Sequence, residues 1–236
     1  MGVCRTLKTI STMKKQTIVR TFVGAVLFAL LSQSSILAQT VTLWNFDSGD
    51  LSATAGLDME YMEDTGDLVT FGTTEALGLP AIGGEVANVI QIPKLATGQG
   101  LLAPLPEDSN GEGDLVNNWT AIMDVYYPVG SAGKKRSLID IVTDQWVAGA
   151  ADAEFYVSAA NAVGTSGLDF GNVTPGEWHR IAIVINIEGL WGKVYIDGQH
   201  AGSLTAPEDS LDGRWSLDTA FEQMVTFFND DNNESE

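Results

Sequence analysis

The chain is poor in cysteine, histidine and basic residues. Its 236 residues include one cysteine, Cys4, two histidines, His179 and His200, and 12 basic residues against 31 acidic ones. Because Cys4 lies close to the N-terminus, the rest of the chain has no disulfide and no thiol for catalysis. Two histidines without cysteine do not supply the ligand set of a zinc site. A fold built from this chain is therefore held by its core alone.

The first 38 residues have the pattern of a secretory signal peptide. Their basic residues all precede an apolar run, Phe22–Leu31, and small residues follow it. Spanning a bilayer takes roughly 20 apolar residues, so we expect cleavage after Ala38. An uncleaved membrane anchor is the alternative. Met13 is an alternative start, because Met13 followed by two lysines is typical of bacterial signals. The sequence thus predicts a secreted or periplasmic protein.

The chain that remains after cleavage is strongly acidic. Its 198 residues, Gln39–Glu236, contain all 31 acidic residues and 7 basic ones, a net charge of −24. Such a polyanion is repelled by nucleic acid and by anionic membrane surfaces, so neither is an expected partner. The charge is compatible with calcium binding or with simple solvation. No linker or internal repeat divides the segment, so we expect one domain.

Short runs of β-branched and aromatic residues alternate with Gly, Asp, Asn and Pro, whereas helical periodicity is scarce. This pattern is typical of an all-β, antiparallel β-sandwich. The predicted strands are Val41–Asp47, Glu85–Ile92, Gly100–Leu105, Trp119–Tyr127, Ser137–Thr143, Glu154–Ser158, Trp178–Ile187, Leu190–Ile196 and Met224–Phe228.

The segments between these strands are predicted to be turns and loops. Asp197-Gly198 suits a hairpin turn that needs positive φ. Gln99–Asn118 is expected to form a long surface loop beyond its first strand. The only basic cluster, Lys134-Lys135-Arg136, is placed in another loop, and Asp218–Gln223 in one helical turn.

Five phrases in order resemble the laminin-G-like jelly-roll domain of secreted bacterial proteins, in the concanavalin-A-like lectin and glucanase superfamily. They cover most of Trp119 to Asp218 and are Trp119–Val125, Asp152–Val157, Thr174–Ala182, Val194–Gly198 and Leu211–Asp218.

The resemblance implies a jelly-roll sandwich that binds an extracellular ligand without catalysis. Domains of this type continue past the position of Met224–Phe228 with one more strand. We therefore expect a C-terminally truncated sandwich that lacks its last strand. Three aromatic residues of the matching phrases, Trp178, Tyr195 and Trp215, are expected in the core or at its corners.

The resemblance also makes calcium a candidate cofactor, because related domains often hold the ion at the sandwich edge. Calcium takes about six to eight oxygen ligands. Two acidic segments offer them, and the candidate ligands are Asp230, Asp231, Asn232, Glu234, Asp152 and Glu154. A solvated tail and a turn are the alternative reading of these segments.

Carbohydrate binding would need an exposed aromatic platform with polar neighbours. Trp146, Trp119 and Trp191 are the candidates, with a core position as the alternative for each. Trp146 is favoured because it falls in a predicted loop. The predicted partner is therefore a carbohydrate or an extracellular protein.

Two other functions remain open. The first is a structural or adhesive module of a longer exported protein. The second is a glycan-cleaving hydrolase, because related glucanases use paired carboxylates and Asp58, Glu60 and Glu63 are spaced in a similar way. The order of acids differs from the glucanase pattern, and a retaining pair needs carboxyls about 5–5.5 Å apart. We expect no catalytic residue.

Overall fold

A computed structural model describes residues 41–105, 115–140, 153–165, 167–205, 215–218 and 224–229. All of them belong to the unit Gln39–Glu236. The predicted signal peptide, residues 1–38, lies outside the described residues. Within the described ranges, no helix is both long and apolar enough to cross a membrane.

The described residues form β-strands joined by turns, with two short turns of 3-10 helix at Thr65–Asp67 and Val129–Ser131. In chain order the strands are β1 Glu60–Met62, β2 Thr70–Thr73, β3 Asn88–Gln91, β4 Gly100–Pro104, β5 Leu115–Val116, β6 Asn118–Tyr126, β7 Arg136–Asp140, β8 Phe155–Val157, β9 Val163–Thr165, β10 Leu168–Phe170, β11 Trp178–Asn186, β12 Trp191–Ile196, β13 Gln199–Thr205, β14 Leu217–Asp218 and β15 Met224–Phe227.

Two antiparallel sheets make up the sandwich, which confirms the predicted all-β class. The seven-stranded sheet has the order β1-β4-β15-β7-β8-β9-β10, and the four-stranded sheet has the order β13-β12-β11-β6. Two small ladders, β14-β5 and β2-β3, lie outside these sheets. β15 pairs with both β4 and β7, so the last described strand is internal to its sheet. That the fold lacks a further strand stays a prediction.

The core lies between the two sheets and follows from strict alternation along the long strands. On β11, Ile181, Ile183 and Ile185 are buried, and the residues between them are only half-buried. The seven-stranded sheet contributes Phe155 and Ile139 to the same core. Side chains on a strand alternate between its two faces, so each strand has one apolar inner face and one outer face.

A β-bulge in β7 adds one residue to the core. Ser137 pairs with Tyr156 and Ile139 with Phe155, so Leu138 is the extra residue on its strand. Both Leu138 and Ile139 are fully buried in the core cluster. Two successive residues on one face are what a bulge produces. The bulge thereby returns the next residue, Asp140, to the outer face of the sheet.

The long predicted strands are confirmed to within a few residues, but Val41–Asp47 is wrong. This segment makes only an isolated bridge between Leu43 and Ala55. Asn45 Nδ2 donates to Asp47 Oδ2 at 2.6 Å, and Phe46 has a left-handed φ of 57°. The local turn breaks the extended backbone that a strand needs.

Three smaller expectations are also corrected or left open. Arg136 is the first residue of β7 and is buried, whereas the sequence placed it in a loop. Tyr195 is half-buried opposite Ala182 on the outer face, not in the core. Trp215 is buried as expected. Asp218 ends strand β14 rather than beginning a helical turn, and residues 219–223 lie outside the described ranges.

Candidate functional site

The outer face of the four-stranded sheet carries a row of amide and aromatic side chains at one end. Asn186 on β11 pairs with Asn118 on β6 and with Trp191 on β12. Residues directly opposite each other in antiparallel strands share a face, with Cβ atoms about 4.5–5.5 Å apart. The three side chains therefore form one continuous row across the sheet.

An open hollow of 190 Å³ lies at this row, with Thr120 and Val184 also among its lining residues. Pockets for whole drug-sized ligands hold about 300–1,000 Å³. This hollow is smaller, so it suits one ring or one protruding group of a larger ligand. A polymer such as a polysaccharide could place one residue there and extend along the sheet.

The indole of Trp191 is held in place by the turn that precedes it. A Cβ at Gly189 would lie 2.5 Å from Trp191 Nε1, so only glycine leaves room for the ring. The turn itself is fixed because Gly189 N–H donates to Asn186 Oδ1 at 2.5 Å. Leu190 has a left-handed φ of 58°, which reverses the chain into β12. Trp191 is thus half-buried and oriented before any ligand arrives.

Polar groups flank this ring. Lys193 Nζ lies 4.7 Å from the centre of the Trp191 ring. A cation over an indole is attracted by the ring quadrupole, at about 0.5–1 kcal/mol for an exposed pair. Within the described part of the chain, Asn186 Nδ2 has no acceptor, so it remains available as a donor. Sequence reasoning missed both asparagines, because asparagine at a strand end suggests a turn; only the strand register reveals their alignment.

Farther along, the outer face is occupied by interactions between its own side chains. Arg180 donates from Nε and Nη2 to both carboxylate oxygens of Asp124, at 2.7 and 2.6 Å. These hydrogen bonds, together with the charge of Asp124, raise the pKa of Arg180. The pair is solvent-exposed and so contributes little to stability. Ile122 is 64 % exposed on the same face.

The rings of Trp178 and Tyr126 also lie on this face, with centroids 5.5 Å apart. Trp178 Nε1 donates to the carbonyl of Pro80 at 2.7 Å. This hydrogen bond connects the segment around Pro80 to the four-stranded sheet. Trp178 is half-buried, which fits a corner position better than a core position. Its hydrogen bond gives it a structural role.

Trp119, a predicted ligand-binding residue, sends its ring to the inside of the sandwich. It packs edge-on against Phe155, with ring centroids 6.1 Å apart, and its Nε1 donates to the carbonyl of Trp215 at 2.7 Å. Trp119 lines the hollow, but its indole joins the two sheets. Of the two predicted tryptophans that lie within the described ranges, Trp191 is the one on the outer face.

Most of the predicted site residues fall outside the described residues. These are Trp146, Asp152, Asp230, Asp231, Asn232 and Glu234. Glu154 is described and is 1 % exposed, immediately before β8. No group of three or more His, Asp or Glu residues that could hold a metal ion occurs among the described residues. The calcium prediction is therefore untested at the residues that the sequence proposed.

The three acids of the glucanase alternative lie around β1, at the edge of the seven-stranded sheet. Asp58 Oδ1 accepts a hydrogen bond from the backbone N–H of Ala53 at 2.7 Å. Glu60 and Glu63 are exposed, and Glu63 has a left-handed φ of 45°. The left-handed residue breaks the alternation that would align acids on one strand face.

His179 takes part in a structural network at the hairpin between β12 and β13. Its Nδ1 lies 2.8 Å from Asp197 Oδ2 and its Nε2 lies 3.2 Å from the carbonyl of Thr174. Asp197 has a left-handed φ of 51°, and Gly198 follows with 76°, which confirms the predicted turn. Both ring nitrogens of His179 therefore have hydrogen-bonding partners within the fold.

No protein-family model matches this chain, and no curated protein matches it. Two solved structures with a distant likeness are crystal structures of two mutants of a protein named HCR/D. One has a TM-score of 0.45 and 16 % identity and covers 83 % of this chain and 44 % of that one. The other has a TM-score of 0.43 and 14 % identity, with 82 % and 49 % covered. The chain thus spans about half the length of either.

Proposed function

We propose that this protein is a secreted, non-catalytic binding module of the laminin-G-like jelly-roll type, and that it binds carbohydrate at the outer face of the four-stranded sheet. The observation that carries the proposal is the row of Asn118, Asn186 and Trp191 beside an open hollow. A sugar presents apolar C–H faces and a rim of hydroxyls. An oriented indole next to amide groups is complementary to both.

The charge distribution supports a neutral or weakly anionic glycan. The chain after Ala38 carries 31 acidic residues, which repel polyanions at long range. Lys193 beside Trp191 supplies a local donor and a local positive charge. The predicted signal peptide supports secretion, and the departure of Asp58, Glu60 and Glu63 from the glucanase order of acids supports a non-catalytic role. Calcium assistance remains part of the proposal.

The test is a polysaccharide array followed by titration calorimetry with the purified full chain. We expect binding to at least one glycan, and Trp191→Ala should weaken it by about 30-fold, as expected for loss of a central tryptophan worth about 2 kcal/mol. Ile122→Ser, on the same face but outside the row, is the matched control and should bind like the wild type.

Three results would contradict this proposal. Absence of binding to every glycan on the array would exclude carbohydrate as the ligand. Unchanged affinity in Trp191→Ala would move the site away from the row. Release of reducing sugar that disappears in Glu60→Gln would show catalysis and contradict the non-catalytic assignment.

A second candidate function is adhesion to a protein, because Ile122 and Val184 place apolar surface in the middle of the same face. In that case no glycan on the array binds, and Ile122→Ser rather than Trp191→Ala reduces attachment to an extracellular protein partner. The same two variants thus separate the two functions.

A further inference from the structure

The four edge strands of the two large sheets differ in length. The seven-stranded sheet ends at β1 and β10, which have three residues each, whereas the four-stranded sheet ends at β6 and β13, which have nine and seven. An exposed edge offers unpaired backbone groups to any other strand, and proteins protect it with short edge strands or charged side chains. The two long edges of the four-stranded sheet are therefore where a further strand can be added.

β13 is the edge strand that lacks a charged side chain. In the part of the chain that the structure describes, each of the other three edges carries one carboxylate, which is Glu60 on β1, Asp124 on β6 and Asp169 on β10. β13, Gln199–Thr205, contains no Asp, Glu, Lys, Arg or Pro. Because the chain as a whole is strongly acidic, two copies repel each other less at β13 than at any of the other edges.

Strand register shows which backbone groups of β13 point away from its own sheet. The Asp197 N–H donates to the Arg180 carbonyl at 2.9 Å, which sets the phase of the β11–β12 ladder. Hydrogen-bonded and non-hydrogen-bonded pairs alternate in antiparallel strands, so Leu204 is bonded to β12. Its neighbours Ser203 and Thr205 direct their N–H and C=O groups outward. Among the described residues, these outward groups have no hydrogen-bond partner.

The core holds β13 in place while its edge remains accessible. Ser203 and Thr205 are exposed, whereas Leu204 between them is 2 % exposed and belongs to the core. A Cβ at Gly202 would overlap the ring of Phe170, so the core also packs directly against the backbone of this strand. An edge that is already extended loses little conformational freedom when another strand pairs with it.

The side chains of β13 are compatible with the same strand of a second copy. An isologous contact brings one surface against itself about a two-fold axis. With Ser203 opposite its own equivalent, Thr205 lies opposite the equivalent of Ala201, and Leu204 lies opposite the equivalent of Gly202. Two hydroxyls then meet at the axis, and the large side chain of Leu204 faces a residue that has none. No like charges meet, which would be destabilising across paired strands.

We infer that two copies of this chain associate through β13, paired antiparallel about a two-fold axis, so that their four-stranded sheets join into one sheet of eight strands. Backbone hydrogen bonds from Ser203 and Thr205 hold the contact. One pair of seven-residue strands is a small contact beside a standard interface of about 1,600 Å², so we expect a dissociation constant in the micromolar range.

The association has a consequence for ligand binding that rests on the proposed function, although the association itself does not. Residues directly opposite each other in antiparallel strands share a face, so both outer faces lie on the same side of the joined sheet. The two β12 strands, each carrying Trp191, are then about 14 Å apart, which is three strand spacings. One polysaccharide can contact both rows, and its apparent affinity rises without any new contact.

The test is sedimentation velocity of the purified full chain over a range that spans micromolar dissociation constants, at about 0.15 M and again at about 0.5 M sodium chloride. We expect a monomer–dimer equilibrium with more dimer at the higher salt concentration, because screening weakens the repulsion between two acidic chains. Hydrogen exchange at the amides of Ser203 and Thr205 should slow as the dimer forms, since these groups gain acceptors.

Three variants of one residue locate the contact. Ser203→Pro removes an outward N–H without removing a bond to β12, so no dimer should be detectable over the same range. Ser203→Ala keeps the N–H and is the matched control; its dissociation constant should stay within about fivefold of the wild type. Ser203→Asp places a carboxylate opposite Lys193 of its own sheet, so it should fold even if the proline variant does not. It brings two like charges to the axis and should weaken association by about tenfold or more.

A monomer at every protein and salt concentration would overturn the inference. Dimers that persist in both Ser203→Pro and Ser203→Asp would also overturn it, because the contact would then lie elsewhere. Assemblies larger than a dimer would show open-ended pairing of unlike edges, which contradicts a two-fold contact. None of these readouts uses a glycan, so they are distinguishable from a failure of the carbohydrate proposal.

Discussion

The guanidinium of Arg136 lies 4.6 Å from the centre of the Tyr127 ring, at the point where the two sheets of the sandwich meet. Tyr127 follows the last residue of β6 in the four-stranded sheet, and Arg136 begins β7 in the seven-stranded sheet. Arg136 is 1 % exposed, so this stacked pair is an internal connection between the sheets.

Three hydrogen bonds fix the arginine side chain. Its Nη1 donates to Ser131 Oγ at 3.1 Å, and its Nη2 donates to the Ser158 carbonyl at 3.2 Å and to Asn161 Oδ1 at 2.7 Å. No carboxylate in the described ranges pairs with it. Burial lowers the pKa of Arg136, which the nearby Tyr127 partly opposes.

We predict that Arg136→Lys lowers the free energy of unfolding by about 2 kcal/mol. A lysine ammonium is compact and lacks the planar fork that reaches three acceptors at once, so buried acceptors lose their donor. Urea unfolding followed by tryptophan fluorescence measures the difference. A change below about 0.5 kcal/mol, the size of an ordinary surface substitution, would contradict this role.

We predict the opposite sign for Tyr127→Phe. Tyr127 Oη is buried without a hydrogen-bond partner, and burial strongly raises the pKa of this hydroxyl, with Arg136 opposing the rise. Phenylalanine keeps the ring beneath Arg136 and removes the unsatisfied hydroxyl, so stability should rise by about 1 kcal/mol. The same urea experiment tests this. A clear loss of stability would mean that the hydroxyl has a partner in solution.

Acid should weaken the β12–β13 hairpin through Asp197. Partial burial raises the pKa of Asp197. The hydrogen bonds from the Arg180 backbone and from His179, together with the charge of His179, lower it by more. The pKa of Asp197 is therefore below its ordinary value of 3.8. A carboxyl with a lowered folded pKa contributes stability above its unfolded pKa and loses it as the pH falls through the folded value. The contribution is therefore complete above about pH 4.

The measurement is the unfolding free energy of the wild type and of Asp197→Asn between pH 2 and pH 6. Because the Asp197 side chain is 51 % exposed, the difference near pH 6 should stay below about 1 kcal/mol. It should shrink as the pH falls below 4. A difference that is constant across this range would show that ionisation of Asp197 contributes nothing.

We predict that Trp119→Phe lowers the stability of the fold without changing ligand affinity. Loss of the indole N–H leaves the Trp215 carbonyl without its donor, and the smaller ring packs less well on Phe155. We expect a decrease in unfolding free energy of about 1–2 kcal/mol with unchanged glycan affinity. Trp191→Ala, with the reverse outcome, is the natural comparison. Weaker glycan binding in Trp119→Phe would contradict this prediction and show that Trp119 contributes to the binding site.

The sequence predicts the long strands well because their alternation is strong. Trp178–Ile187 matches β11 almost residue for residue, since buried isoleucines recur at every second position. Strands of three residues, such as β9 and β10, contain too few positions to show a period. The segment Val41–Asp47 shows the reverse case, because its alternation is cancelled by a turn at Phe46.

The row formed by Asn118, Asn186 and Trp191 is beyond the reach of sequence reasoning. Asn118 and Asn186 are 68 positions apart along the chain, and only strand pairing makes them neighbours. Asp140 and Asn229 are 89 positions apart, and the pairing of β7 with β15 brings them together. The sequence predicts a loop at Arg136 because two lysines precede it, although its own side chain is buried. Which residues become neighbours depends on strand register, and the composition of a segment does not reveal it.

The internal place of β15 determines when this protein can fold. β15 pairs with β4, more than 120 positions earlier in the chain, and separates it from β7. Until residues Met224–Phe227 are available, the seven-stranded sheet consists of two pieces with unpaired edges. Loop closure over such a distance is slow, so the high contact order delays formation of the whole sheet until β15 has been synthesised. The two parts of the seven-stranded sheet can therefore join only in the last stage of folding, when β15 inserts between them.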